Sequence, residues 1–305
     1  MRQDLRFQVL ILPNLPWEQL LGRFTRVEQL GFDLAVTGDH FVDWTNPPSP
    51  WFELWTVLSA VAQSTSTIRI APCVAQIPFR NPAFFARQAL TVDHISNGRL
   101  EIGLGLGLPI DPSYDIMGIP NWSNPERAAR FKEYVEIVDR LLSNEVTTYQ
   151  GRFYQVNHAV IRPRPRQAPR PPLTIAAMGP LMMQYAATYA DTWNTMSFAE
   201  AFEAQLRETA ARVARVTEYC TTMGRNVESL RFSYNMFDAS ARSSGGKIKY
   251  YESPEIFADM ARRIIDLGMS EIGLYYPMVE EQVPVFETIA REVIPALRKE
   301  LNTDR

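Results

Sequence analysis

The chain has 305 residues, 46% of them hydrophobic and 21% charged. That is a globular composition with enough apolar mass for a sizeable core. Its 31 basic and 34 acidic residues leave a net charge of −3, which argues against a nucleic-acid or anionic-membrane surface. The only cysteines, Cys73 and Cys220, imply no disulfide framework, the N-terminus shows no apolar signal core, and no run of about 18 apolar residues occurs; a soluble, cytoplasmic protein is expected.

Short apolar runs alternate with longer amphipathic ones. Phe7 to Leu12 reads as a strand, and Trp17 to Leu30 as a helix stopped by Gly31. Phe32 to Thr37 is the second strand, Phe52 to Gln63 a helix, and Ile68 to Pro72 the third strand. Asn81-Pro82 pairs an N-cap with a proline at the first helical position, opening a helix to Ile95. Arg99 to Leu104 is a strand, and Asn124-Pro125-Glu126 starts a helix to Leu142. Leu173 to Ala176, Thr192 to Met196, Ser229 to Met236 and Glu271 to Tyr275 complete eight strands. The helices between and after them are Pro180 to Tyr189, Ala199 to Met223, one capped by Ser253-Pro254-Glu255, and Glu280 to Leu301.

Strict alternation implies parallel strands with helical crossovers, and eight such units fit an α/β (β/α)8 TIM barrel. A doubly wound sheet is the alternative. The expected organisation is a single domain over residues 1–305, with 145–172 as an insertion. There, Val146-Thr-Thr-Tyr and Phe153-Tyr-Gln-Val flank Gln150-Gly151 as a hairpin, and the proline-rich run after Arg162 is an extended strap.

In a barrel, the loops after the strands carry chemistry. Asp39-His40-Phe41 follows the second strand, four to five residues before Trp44. His40 is a candidate acid or base. Asp39 is a candidate to fix its tautomer or to meet a cofactor ring, and Trp44 a stacking wall. Gly103-Leu-Gly105-Leu-Gly107 allows either a close backbone approach to a cofactor or a flexible turn. Ala177-Met178-Gly179-Pro180 joins a strand to a helix start, where free N–H groups bind phosphate. His94 reads as structural and His158 as a surface residue. The three histidines are too scattered for a metal site.

Together these pieces resemble the bacterial luciferase-like monooxygenase superfamily, and within it the branch that uses the deazaflavin coenzyme F420. The resemblance rests on Asp39-His40-Phe41 with Trp44, Ile68 through Val74, Asn81 through Gln88, Asp93, Ser96-Asn97-Gly98-Arg99, Gly103 through Gly105, Gly151-Arg-Phe-Tyr, and Pro171 through Gly179. It implies hydride transfer between F420 and a small organic substrate, with His40 and Trp44 catalytic. It implies a cofactor site of Asp39, His40, Cys73, Val74, Leu106, Gly107, Ala176, Ala177, Met178 and Gly179, with a cis peptide at Cys73–Val74. No metal is implied.

The resemblance further implies a homodimer, for which the helix faces around Trp55 and Phe84-Phe85 are candidates. Leu108 stands where the sugar-phosphate dehydrogenase subgroup carries a catalytic glutamate. With Trp44, Trp51, Tyr275, Tyr276 and Met278, this points to an apolar substrate. The competing expectations are an FMN-dependent monooxygenase fed by a separate reductase, and a non-catalytic flavin-binding or scaffold barrel.

Overall fold

The computed structural model describes residues 3–43, 46–238, 240–241 and 244–303. In chain order the strands are β1 Arg6–Leu10, β2 Leu34–Thr37, β3 Arg69–Pro72, β4 Ala75–Gln76, β5 Ile102–Gly105, β6 Thr147–Gln150, β7 Gln155–Ala159, β8 Leu173–Ala176, β9 Thr192–Thr195, β10 Arg231–Asn235 and β11 Glu271–Tyr275. The helices are α1 Trp17–Gln29, α2 Leu54–Ser64, α3 Pro82–Ile95, α4 Ser113–Met117, α5 Asn124–Ser143, α6 Pro180–Tyr189, α7 Phe202–Thr222, α8 Pro254–Asp266, α9 Val283–Thr288 and α10 Ile294–Thr303. The fold class is α/β. The strand–helix alternation is that of a (β/α)8 barrel, with β4 prolonging the third strand and the β6–β7 hairpin inserted after α5.

The contacts divide the chain into two compact units: residues 1–11, 25–35 and 177–305, and residues 12–24 and 36–176. In the first, β1, β11, β10 and β9 pair in parallel. Their buried residues include Phe7, Val9, Trp193, Tyr234, Ile272 and Leu274. α8 brings Phe257 to 6.4 Å from Phe7. The Phe7 N–H donates to Asp33, which also pairs with Arg298 at 2.6 Å.

In the second unit, β4 and β8 flank β5 in parallel. β3 also reaches β5, through the Ile70–Leu100 bridge. Trp55, Phe85 and Tyr134 tie α2, α3 and α5 together at ring separations of 5.2 and 5.7 Å. A helix leaves its last carbonyls without partners. For α2 the Arg99 guanidinium supplies them, donating to Ala62 O at 2.7 Å and Thr65 O at 2.9 Å. The proline-rich strap is fixed by Asp93, which accepts from the Arg166 N–H at 2.7 Å and the Gln167 amide at 2.9 Å. His94 meets Arg164 O at 2.7 Å, a structural contact.

Three sequence expectations change. The helix expected over Glu280 to Leu301 is broken by a π turn at Ile289–Val293 between α9 and α10. Pro295 lacks the N–H that would continue the ladder back to Arg291, so the turn widens there. Trp55 and Phe85, offered as candidate contact residues, are buried, and only Phe84 is exposed. The short β4 and α4 carry no periodic signal and were not expected.

Candidate functional site

β2 is buried along its whole length and delivers Asp39 and His40 at its carboxyl end. Asp39 is only 3% exposed. Arg80 grips it with two bonds, Nη1 to Oδ2 at 2.6 Å and Nη2 to Oδ1 at 3.0 Å. The Gln76 N–H adds a third at 2.9 Å. Arg80 also reaches Glu53, whose other oxygen caps α2 by accepting from the Thr56 N–H. A buried carboxylate held this way is neutralised and rigid. Asp39 therefore fixes the loop's backbone, and another residue orients His40.

That residue is Asp111. Its Oδ2 lies 2.6 Å from His40 Nδ1. An ionised carboxylate can only accept, so Nδ1 carries the proton and Nε2 is the basic nitrogen of the neutral ring. Asp111 also accepts from Gln76 Nε2 and the Ser113 N–H, both at 2.9 Å. Burial pushes its pKa up, but the hydrogen bonds from His40, Gln76 and Ser113 outweigh burial and hold it at about 2. Asp111 is thus charged at neutral pH, its side chain fully buried, while the His40 side chain is 22% exposed.

Gln76 is the hub of the site. Its amide donates to Asp39 O as well as to Asp111, and its Oε1 accepts from Tyr114 OH. Arg127 stacks on the Tyr114 ring at 4.6 Å and donates to Leu106 O at 2.9 Å. Gly107 passes across this group at φ +73°, where a Cβ would fall 2.1 Å from Tyr114 OH. Only glycine fits there. Trp51 stands edge-on to His40, ring centroids 5.5 Å apart, and its buried indole N–H has no partner among the described residues.

The Cys73–Val74 peptide is cis. The Cys73 N–H donates to Thr37 O at 2.8 Å, which ties this segment to the end of β2. A Cβ on Gly103 would lie 2.1 Å from Pro72 O. At Gly103 and Gly105 the missing side chains allow β5 to approach this segment closely. Ala176 ends β8. Ala177, Met178 and Gly179 belong to the first unit. There the Ala177 N–H donates to Asn194 O, Ala177 O accepts from the Trp193 indole, and Gly179 is the N-cap of α6 with no side-chain cap.

Within the second unit, Asp39, His40, Leu106 and Gly107 meet the Gln76–Tyr114–Arg127 network, while Cys73 bonds the end of β2 and Val74 lies against Gly103 and Gly105 of β5. Trp44 lies outside the described residues. Sequence reasoning passed over Asp111, Gln76, Arg80 and Tyr114 as functional residues. Asp111 sits between Ile110 and Pro112, where aspartate reads as a turn former. Its pairing with His40 spans 71 positions, so no local pattern reports it.

Comparison with known proteins adds a second line of evidence. Residues 5–244 match the family model for luciferase-like monooxygenases. A curated relative from Intrasporangium calvum, an F420-dependent glucose-6-phosphate dehydrogenase, is 33% identical over 177 residues, covering 57% of this chain and 52% of its own length. The match thus spans about half of that relative. Among solved structures, the coenzyme F420-dependent tetrahydromethanopterin reductase from Methanopyrus kandleri superposes with a TM-score of 0.78 at 20% identity, covering 96% of this chain and 99% of the other. An F420-dependent secondary alcohol dehydrogenase, solved with an F420–acetone adduct, gives 0.80 at 18% identity with the same coverages. These structures share the fold, and the family match extends over most of the sequence: the chain belongs to the luciferase-like monooxygenase family.

Proposed function

We propose that the chain is an F420-dependent oxidoreductase that moves a hydride between coenzyme F420 and a small organic substrate. The observation that carries this reading is the couple of partly exposed His40 with buried, ionised Asp111. Relatives named as F420-dependent enzymes support the cofactor assignment.

The residues present fit such a cofactor. His40 offers a basic nitrogen, its ring held by Asp111. Asp39, already committed to Arg80 and Gln76, acts as a support for its loop.

When bound, F420 supplies hydride exchange at its deazaflavin ring. The chain handles the accompanying proton. With Nδ1–H pinned to Asp111, His40 Nε2 takes a proton from a substrate hydroxyl during oxidation, or returns one during reduction. Asp111 stays ionised and stabilises the imidazolium that forms. Gln76 and Ser113 hold Asp111 in place, so the ring needs no reorientation between the two proton states.

The test is a titration of the purified chain with F420 and with FMN, followed by visible absorbance, together with turnover by His40→Ala. Saturable F420 binding is expected, with hydride transfer reduced at least about a hundredfold in the variant while binding persists. Binding of FMN alone would overturn the reading in favour of the monooxygenase alternative. A homodimer through the exposed Phe84 face of α3 is part of the same proposal. Sedimentation of Phe84→Glu checks it, with a monomer expected. A cytoplasmic location belongs to the same proposal, supported by Cys73 and Cys220 being outside any disulfide. No helix among the described residues is long and apolar enough to cross a membrane.

A further inference from the structure

The first unit holds a pocket outside the carboxyl ends of β10 and β11. It is a shallow, partly open pocket whose lining includes Phe237, Asp238, Ile248, Tyr250, Tyr275 and Met278. In parallel α/β sheets, ligands bind at the carboxyl ends of the strands.

The walls are fixed before any ligand arrives. The Tyr275 N–H donates to Tyr250 OH at 3.0 Å, and Tyr251 OH donates to Tyr275 O at 2.6 Å. Gln282 takes both backbone groups of Ile248, at 2.9 and 2.7 Å. Phe237 leans on Phe198 at 5.3 Å and on Tyr275 at 6.1 Å. The Tyr250 hydroxyl is thus occupied by backbone, and what it presents to the pocket is ring. Such pre-ordered walls suit a ligand of apolar shape, since little side-chain freedom remains to be lost on binding.

Asp238 is the one charged lining group among the described residues. Its oxygens accept from the Ser240 N–H and Oγ and from the Lys249 N–H. It remains a negative charge beside an apolar wall. An anion entering here would be desolvated against a carboxylate, which is unfavourable.

We propose that this pocket binds the apolar, ring-bearing or branched group of an uncharged organic molecule and refuses phosphorylated ones.

Calorimetric titration of the full chain with acetophenone, and separately with glucose 6-phosphate, tests it without turnover. Acetophenone should bind saturably, and at least about tenfold more weakly to Phe237→Ser and to Met278→Glu. Glucose 6-phosphate should give no binding heat. Tighter binding of glucose 6-phosphate, no binding of acetophenone, or acetophenone affinity unchanged in both variants would overturn the proposal. Thermal melting of the two variants verifies that each is folded, and either one alone suffices. A parallel F420 titration separates the two readings. Acetophenone binding as described without F420 binding refutes the redox assignment, whereas F420 binding without acetophenone binding refutes the pocket assignment.

Discussion

At the residue scale, the site divides its two acids by environment. Asp39 is spent on Arg80 and structural order, while Asp111 is spent on His40 and its proton. The division makes separable predictions. Arg80→Ala strands a buried carboxylate, and the fold should lose about 3 kcal/mol in denaturant unfolding. Asp111→Asn keeps the shape but removes the charge that selects the Nδ1–H tautomer, so hydride transfer should fall about a hundredfold or more with F420 affinity little changed.

The pH dependence follows from the same pair. The Asp111 pKa is lowered from 3.8 to about 2 in the folded chain. Its stabilisation is therefore complete above about pH 4 and is lost as pH falls through 2, an effect on the order of 2 kcal/mol. Urea unfolding followed between pH 5 and pH 2 should show this loss in the wild type and not in Asp111→Asn. An equal slope in both proteins would show that Asp111 is not the group responsible.

At the element scale, most of the architecture was legible because buried parallel strands and amphipathic helices write different periods into the chain. β8, α6 and β11 fall on the residues expected for them. Caps explain why helix starts were readable. Asn81 accepts from the Ala83 N–H and Ser253 from the Ile256 N–H, as their sequence context implied. The two-residue β4 and five-residue α4 are too short to carry a period, yet Gln76 and Tyr114 ride on them. The part of the site least visible in the sequence is thus the part built on irregular pieces.

The glycine run is an element-scale feature as well. Its first member faces the carbonyl of Pro72. Gly103→Ala should push β5 away from that carbonyl and cost about 2 kcal/mol, read as a lower midpoint in chemical unfolding. An unchanged midpoint would mean that the strand yields more easily than its packing suggests.

At the scale of the whole molecule, composition and alternation narrowed the fold class, and the family resemblance narrowed the chemistry. Neither could supply Asp111, because the pairing depends on the path of the 106–113 loop back toward the end of β2. The residues after β5 shape that path: the left-handed Gly107, and Arg127 holding Leu106 from α5. Apolar spacing fixed where strands and helices begin. The course of the loops between them follows from hydrogen bonds across long sequence separations, and there the chemistry sits.

The most direct measurement of the central claim is a crystal structure of the chain grown with oxidised F420. The account predicts the deazaflavin ring against His40 and the Cys73–Val74 backbone, with the His40–Asp111 hydrogen bond intact. An ordered cofactor bound away from His40, or a His40 ring turned from Asp111 in its presence, would contradict it.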